Sequence, residues 1–241
     1  MSVYERDYRI KSSDADAKQR LRISRMFTIL QEVSIEHTTE LKMGREMTLD
    51  RGLLWIVTLQ QAKISRMPEY DESVHIATWP GNTMHILFPR FYRITDAQGG
   101  VLIEASALWA LMDQNTRKVI FPEEHGVAIK GLVTGKEIPL PRAPQIPKTE
   151  ESETFTVPYS YVDLNGHMGN TRYFDLAEDR MPPSLRARKL VGIQTEYARE
   201  ALLDTDVVLR SEVRGDTFLL SGENEGQKLF RLSLSYAPEE A

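Results

Sequence analysis

The feature that most constrains this chain is that its two halves read as diverged copies of one another. Slid by 147 positions, Ser13 falls on Ser160, Asp16 on Asp163, Arg25 on Arg172 and Phe27 on Phe174. Further along the offset changes. Val74-His75-Ile76 lies over Val207-Val208-Leu209, and 99–109 lies over 226–236, with Ser106 on Ser233. Shifting offsets are what loops of different length produce in two copies of one unit. Whatever the unit is, it must bury its apolar faces in a way that can be made twice.

Each copy opens with a short strand and a turn, enters a helix and ends in several strands. In the first, Met26, Phe27, Leu30, Val33, His37 and Leu41 recur at spacings of three and four, the mark of an amphipathic helix. Ile23-Ser24 precedes it and Gly44 supplies a stop. Strand-like runs follow at 53–64, 73–78, 85–95 and 101–113, the last two joined by the turn sequence Asp96-Ala97-Gln98-Gly99-Gly100. In the second copy a helix over 171–180 is limited by Pro182-Pro183. Strands follow near 192–199, 206–214, 217–223 and 228–236. A helix and an antiparallel sheet, made twice, predict an α+β architecture with each sheet wrapped around a long central helix. Between the copies, prolines 139, 141, 144 and 147 favour an extended, stiff connector. The expected organisation is a first domain over 1–130, a linker over 131–153 and a second domain over 154–241.

Composition removes several function classes. The 241 residues carry 30 basic and 35 acidic side chains, a net charge of −5, which argues against a general nucleic-acid binder. With no cysteine, disulfides, thiolate metal sites and a cysteine nucleophile are all excluded. The first residues lack the apolar core of a secretory signal and are too acidic for a typical transit peptide. No apolar run approaches the roughly 18 residues of a membrane span. The expectation is a soluble, cytoplasmic protein without a cofactor. Glu123-Glu124-His125 lacks the further ligands a metal would need. His37, His75, His85 and His125 are expected to be packed or solvated. Trp55, Trp79 and Trp109 are expected in the core or against a pocket.

The chemistry concentrates in 159–173, Tyr-Ser-Tyr-Val-Asp-Leu-Asn-Gly-His-Met-Gly-Asn-Thr-Arg-Tyr. Asp163, Asn165 and His167 alternate, and in extended backbone such residues share a face. The helix start that follows offers unpaired backbone N–H groups at Met168, Gly169 and Asn170, suited to a developing oxyanion. A base, an orienting amide and an oxyanion site within a dozen residues point to acyl transfer. The bland reading is a turn or helix cap, which Asp, Asn and Gly clusters also form.

Ordered motifs in both halves bring the chain to a family. In the first half they are Gln31-Glu32, Trp55-Ile56-Val57-Thr58, Ile76-Ala77-Thr78-Trp79-Pro80, Arg90-Phe91-Tyr92, Ala105-Ser106-Ala107-Leu108-Trp109 and Met112-Asp113-Gln114-Asn115-Thr116-Arg117. In the second they are Asp163-Leu164-Asn165-Gly166-His167-Met168-Gly169-Asn170, Tyr173 and Glu196-Tyr197-Ala198-Arg199-Glu200. Over nearly its whole length the chain resembles the acyl-acyl-carrier-protein thioesterases, built as two tandem hot-dog domains. The resemblance implies a hydrolase that frees a fatty acid from its carrier thioester. It places catalytic residues at Asp163, Asn165, His167 and, on a facing strand, Glu200. The first half keeps Asp16 but has Lys18 and Arg20 in place of the amide and imidazole. One active and one degenerate half are therefore expected, the latter lending much of the acyl-chain cavity.

The family pattern is departed from twice. Gly169-Asn170 stands where Asn-Asn is common, and glycine there could serve close backbone approach to the thioester oxygen. Ala201 stands where many plant members carry cysteine, so carboxylates must do the work. Asp163 is the expected base for water or the nucleophile of a transient anhydride. Asn165 and His167 would orient water and carbonyl, and Glu200 would share in water activation. Against that, Glu200 beside Arg199 also reads as a surface ion pair. The expected partner is an acidic acyl carrier protein, met by Arg172, Arg180, Arg186, Arg188 and Lys189, although these also fit a solvated charged face. An acyl-CoA thioesterase and a non-catalytic acyl-binding sensor are the alternatives, with a hot-dog dehydratase behind them. Paired halves in one chain suit a monomer, and a homodimer of tandems is equally open.

Overall fold

The long apolar runs pair along their whole length into one antiparallel sheet, and the duplication becomes a symmetry. The computed structural model describes residues 3–134 and 138–239. The first copy comprises β1 (Tyr4–Arg9), α1 (Ile23–Glu40), β2 (Leu53–Ile64), β3 (Ser73–Pro80), β4 (Phe88–Thr95) and β5 (Val101–Asp113). The second comprises β6 (Glu153–Thr156), α2 (Arg172–Arg180), α3 (Pro183–Arg186), β7 (Leu190–Tyr197), β8 (Asp206–Arg214), β9 (Thr217–Asn224) and β10 (Gln227–Tyr236). The strand order is β1-β3-β4-β5-β2-β7-β10-β9-β8-β6, so each half repeats the other's topology and the halves join edge to edge.

Register settles the offsets read from the sequence. Tyr8 pairs with Val74 in the first half and Phe155 with Val207 in the second, positions 147 and 133 apart. At the joint Gln61 pairs with its own equivalent, Gln194, and Leu59↔Glu196 mirrors Lys63↔Gly192 about that point. A local two-fold axis passes between Gln61 and Gln194. Joining the edges there leaves no unpaired ladder in the middle of the sheet, where an exposed edge would recruit other chains.

The helices fill the concave side. Met26, Phe27, Leu30, Val33 and His37 form the buried stripe of α1, as their spacing predicts. Tyr173, Phe174, Leu176 and Ala177 do the same for α2. The two stripes meet where the rings of Phe27 and Phe174 stack, with centroids 4.5 Å apart and planes 7° from parallel. These are the paired phenylalanines of the internal repeat, so the repeat closes one shared core. This is a double hot-dog fold.

Three expectations need correction. The second helix is not long: α2 has nine residues, because Met181 is already extended and Pro182-Pro183 cannot continue it. Strand β4 begins at Phe88, not at position 85. His85 has a φ of 58°, inside a turn closed by reciprocal backbone bonds between Met84 and Leu87. Strand β7 ends at Tyr197, which leaves Glu200 in the loop beyond it rather than on a strand. The connector is extended, as its prolines predict, and it is also packed; its positions 135–137 lie outside the described residues. Ile138, Pro141, Pro144 and Pro147 are buried at a three-residue period, the repeat of a polyproline II helix laid on a surface. The Pro139 carbonyl accepts from Gln61 Nε2 (2.9 Å) and Ser106 Oγ (2.7 Å), and Lys148 N–H donates to Glu212 (2.6 Å). The connector therefore straps across the sheet from one half to the other.

Candidate active site

Asp163 to His167 form a tight turn, not the extended run that alternation suggested. Asp163 N–H donates to the His167 carbonyl (2.9 Å) and Gly166 N–H to the Asp163 carbonyl (3.0 Å). Asp163 Oδ1 accepts from Asn165 N–H (2.8 Å), and Gly166 takes a φ of 84°. An Asn-Gly pair after an aspartate makes this turn cheap, since the carboxylate replaces a backbone acceptor and glycine tolerates the left-handed backbone. The turn thus serves both readings of the sequence at once. It brings Asp163 and His167 to one side by hydrogen bonding rather than by pleat, and it leaves Asn165 exposed near the tip.

The imidazole of His167 is largely buried between two carboxylates. Its Nε2 lies 3.2 Å from Glu200 Oε1 and its Nδ1 lies 4.0 Å from Asp163 Oδ1. The first is a close approach and the second is looser than a hydrogen bond. Glu200 Oε1 also meets the guanidinium of Arg117, which comes from the other half of the chain. No donor reaches that oxygen with hydrogen-bond geometry, so the guanidinium contact is ionic in kind. Glu200 is brought in because Met168 N–H donates to the Ala201 carbonyl (2.7 Å), clamping the turn to the loop after β7. The Tyr197 hydroxyl sits between Gln60 Oε1 (3.1 Å) and the Asn170 carbonyl (3.0 Å), tying β2 of the first half to the end of the turn. Burial holds that hydroxyl well above its usual pKa, so it stays protonated.

The oxyanion assignment narrows. The Met168 and Gly169 N–H groups are spent on the Ala201 and Tyr161 carbonyls, at 2.7 and 2.9 Å. Among the described residues, the N–H groups of Asn170 and Thr171 have no protein acceptor, and both residues line the cavity. Within the protein, a β-carbon at Gly169 would find Asp163 Cβ at 3.5 Å, an ordinary contact, so the fold itself does not require glycine there.

The degenerate copy keeps the scaffold and loses the chemistry. Asp16 N–H donates to the Arg20 carbonyl, Lys18 N–H to Asp16 Oδ1 and Leu21 N–H to the Pro68 carbonyl. These repeat the bonds of Asp163, Asn165 and Met168. By the same correspondence Met67 stands where Glu200 does. Gln19 holds the left-handed position of Gly166, with a φ of 61°. The turn is thus a property of the fold, and the imidazole and glutamate are additions to one copy.

The site opens on a cavity of about 500 Å³ lined by Asp163, Asn165, His167, Asn170, Tyr173 and Glu200 from the second half and by Arg117, Trp55 and Trp109 from the first. A neighbouring cavity of about 300 Å³ lies between α1 and the first-half sheet. The two share Gln31, Leu54, Trp55, Trp109 and Asn165 as walls. Trp55 and Trp109 therefore face cavities, whereas Trp79 is buried. Arg90 lines this second cavity and donates to His37 Nδ1 (3.1 Å) and Thr38 Oγ1 (3.0 Å).

The basic residues around α2 and α3 are mostly engaged. Arg172 pairs with Asp175, and Arg180 with Glu153. Arg186 donates to the Glu178 and Met181 carbonyls, and Arg188 binds Asp216 and the Ala237 carbonyl. Lys189 is exposed and makes no side-chain contact among the described residues. Glu200 is not a surface pair with Arg199, whose guanidinium has no ion-pair partner among the described residues. Sequence reading assigned no role to Arg117, Tyr197 or Gln60. Arg117 lay within the motif 112–117, but nothing local says that its side chain crosses to the other half.

A double hot-dog with one furnished turn and one emptied turn defines a class of tandem hot-dog proteins. Within it the chain belongs to the acyl-ACP thioesterase family. The N-terminal domain model of that family matches residues 1–126 and the C-terminal domain model residues 145–235. The chain is 26% identical over 249 residues to the acyl-[acyl-carrier-protein] hydrolase FATB2, chloroplastic, of Cuphea viscosissima, covering 95% of this chain and 59% of that protein. It is 23% identical to the palmitoyl-acyl carrier protein thioesterase, chloroplastic, of Arabidopsis thaliana, covering 95% and 60%. The chain thus spans about three-fifths of the length of these curated relatives. An acyl-ACP thioesterase from Bacteroides thetaiotaomicron superposes with a TM-score of 0.84 at 19% identity, covering 98% of this chain and 100% of that one. The 12:0-ACP thioesterase of Umbellularia californica gives 0.79 at 19%, covering 98% of each. These likenesses support the fold. No helix among the described residues is long and apolar enough to cross a membrane.

Proposed function

We propose that this protein hydrolyses acyl thioesters of acyl carrier protein, releasing a fatty acid and the carrier thiol. The observation that carries the reading is His167 held between Asp163 and Glu200 at the wall of a cavity that shares five wall residues with a second, mostly apolar one. The acyl chain would lie against Trp55 and Trp109 and extend into the first half, with the thioester beside the turn.

The chemistry needs little acid help, because a thiol of pKa near 8.5 leaves readily as thiolate. Attack is the demanding step. Asp163 is the carboxylate not neutralised by a guanidinium, so it is the better base; it would take a proton as water oxygen bonds to the carbonyl carbon. His167 and Asn165 would orient water and carbonyl. The Asn170 and Thr171 N–H groups would receive the oxyanion. Collapse then breaks the carbon–sulfur bond, and the proton on Asp163 goes to the departing thiolate. In the anhydride route the same carboxylate oxygen bonds to the carbonyl carbon as the carbon–sulfur bond breaks and the thiolate leaves, and water then cleaves the mixed anhydride to the fatty acid and free Asp163.

The domain bounds 1–130 and 154–241 with a 131–153 connector, a cytoplasmic location and either a monomer or a homodimer go with this reading. Carrier docking is proposed on the basic group Arg172, Arg180, Arg186, Arg188 and Lys189. Lys189→Glu is the clean probe, because the arginines hold backbone carbonyls or carboxylates. Thiol release from matched acyl-carrier and acyl-CoA thioesters, wild type beside Asp163→Asn, tests the whole. Carrier-selective release falling at least about 100-fold in the variant is expected. Preference for the CoA ester would make it a CoA thioesterase, and acyl binding without release would make it a sensor.

A further inference from the structure

We infer that Arg117 of the degenerate half is a positioning residue for the catalytic half, setting the charge of Glu200 and through it that of His167. The inference rests on the thioesterase reading for its kinetic arm only. Arg117 lies in the turn after β5, fixed by Asp113 Oδ1, which accepts from Asn115 N–H (3.1 Å), Thr116 N–H (2.7 Å) and Thr116 Oγ1 (2.9 Å). The turn closes with Arg117 N–H donating to the Asp113 carbonyl (3.0 Å). Arg117 takes a φ of 55°, in the region that glycine or asparagine occupies with least strain. A long charged side chain is kept at that strained position, and its guanidinium reaches Glu200 in the other half.

Stability alone does not explain the contact. The Arg117 and Glu200 side chains are 36% and 30% exposed, and ion pairs so placed add little to folding. Electrostatics does. His167 faces two carboxylates, Asp163 and Glu200, in a cavity where an oxyanion must form. Left uncompensated, Glu200 would add a negative charge beside that oxyanion and bind the imidazole proton too tightly. Arg117 cancels that charge while leaving Glu200 ionised to orient the ring. The other titratable groups of the cavity are Arg199, which makes no ion pair among the described residues, and Tyr173 and Tyr197, both held protonated by burial.

The test compares wild type, Arg117→Met and Arg117→Lys in two measurements: the pH profile of kcat/KM on an acyl-carrier thioester, and the NMR titration of the His167 imidazole. In Arg117→Met the acidic limb should move up by about one pH unit or more, and the His167 pKa should rise with it. Arg117→Lys should return both towards wild type. In a Glu200→Gln background, Arg117→Met should no longer shift His167. An unchanged His167 titration in folded Arg117→Met, or a shift that persists without Glu200, would overturn the inference. If wild type hydrolyses no thioester, the functional reading fails, and the imidazole titration still decides the role of Arg117.

Discussion

Acidification should weaken this fold through one histidine before its carboxylates titrate. His37 is 1% exposed, stacks on Tyr4 with centroids 5.6 Å apart, and accepts from Arg90 at Nδ1. Its Nε2 has no partner. Burial first, then the Arg90 charge, pushes the imidazole down from 6.5 to about 4. A group depressed in the folded state contributes stability that is complete above its unfolded pKa and is lost as pH falls through the folded one. The window is thus pH 6.5 down to about 4. A gap of about 2.5 pH units at 1.36 kcal/mol each amounts to roughly 3 kcal/mol, a large share of the stability of a domain. Urea unfolding of wild type and His37→Gln at half-unit steps from pH 7.5 to 4.5 measures it. The glutamine cannot titrate and can still accept from Arg90, so the variant's stability should fall by about 2.5 kcal/mol less over that range. Parallel pH dependences in the two proteins would refute the assignment. Because Arg90 lines the neighbouring cavity, loss of acyl binding should accompany the acid loss of stability.

Three further outcomes are expected. Phe174→Ala removes the ring stacked on Phe27 at the centre of the joined core and should cost about 3–5 kcal/mol, read by chemical denaturation. Glu178 is pushed up to about 7 by burial, then by Asp175 and Asp16, against Arg22 and Arg20. A raised carboxyl contributes stability that is lost as pH rises from its unfolded value through 7. Glu178→Gln should therefore stabilise the protein at pH 8 by about 1–2 kcal/mol, allowing for solvent screening, and do nothing at pH 4. Gly169→Ala should keep the wild-type melting temperature and activity within a few-fold, since its added carbon meets nothing closer than 3.5 Å. A collapse in activity would mean that substrate packs against that backbone.

Most of the architecture was legible from one chain because a duplicated unit writes its pattern twice. The three- and four-residue stripe of α1, the runs that became β2, β5 and β8, and the pairing of Phe27 with Phe174 all follow from periodicity or repeat. Local rules also placed the end of α2, because proline cannot donate to a helix. The site residues were legible as a group, and their geometry was not. Alternation suggested an extended strand at Asp163, Asn165 and His167, whereas the Asn165-Gly166 turn is what brings Asp163 and His167 together. The start of β4 was misread because a left-handed residue at His85 is decided by a closed turn that no period records.

Sequence by itself determined the fold, the duplicated plan and which copy carries the imidazole and amide, since these depend on local pattern and residue identity. Only tertiary structure decided what surrounds them. Met168 and Gly169 lose their N–H groups to carbonyls that are distant or hidden in the turn, Tyr197 reaches Asn170 across a loop, and Arg117 crosses from a half that looked chemically idle. Charges and hydrogen-bond donors act over a few ångströms in space whatever their separation along the chain, so their partners are fixed by how the two copies join.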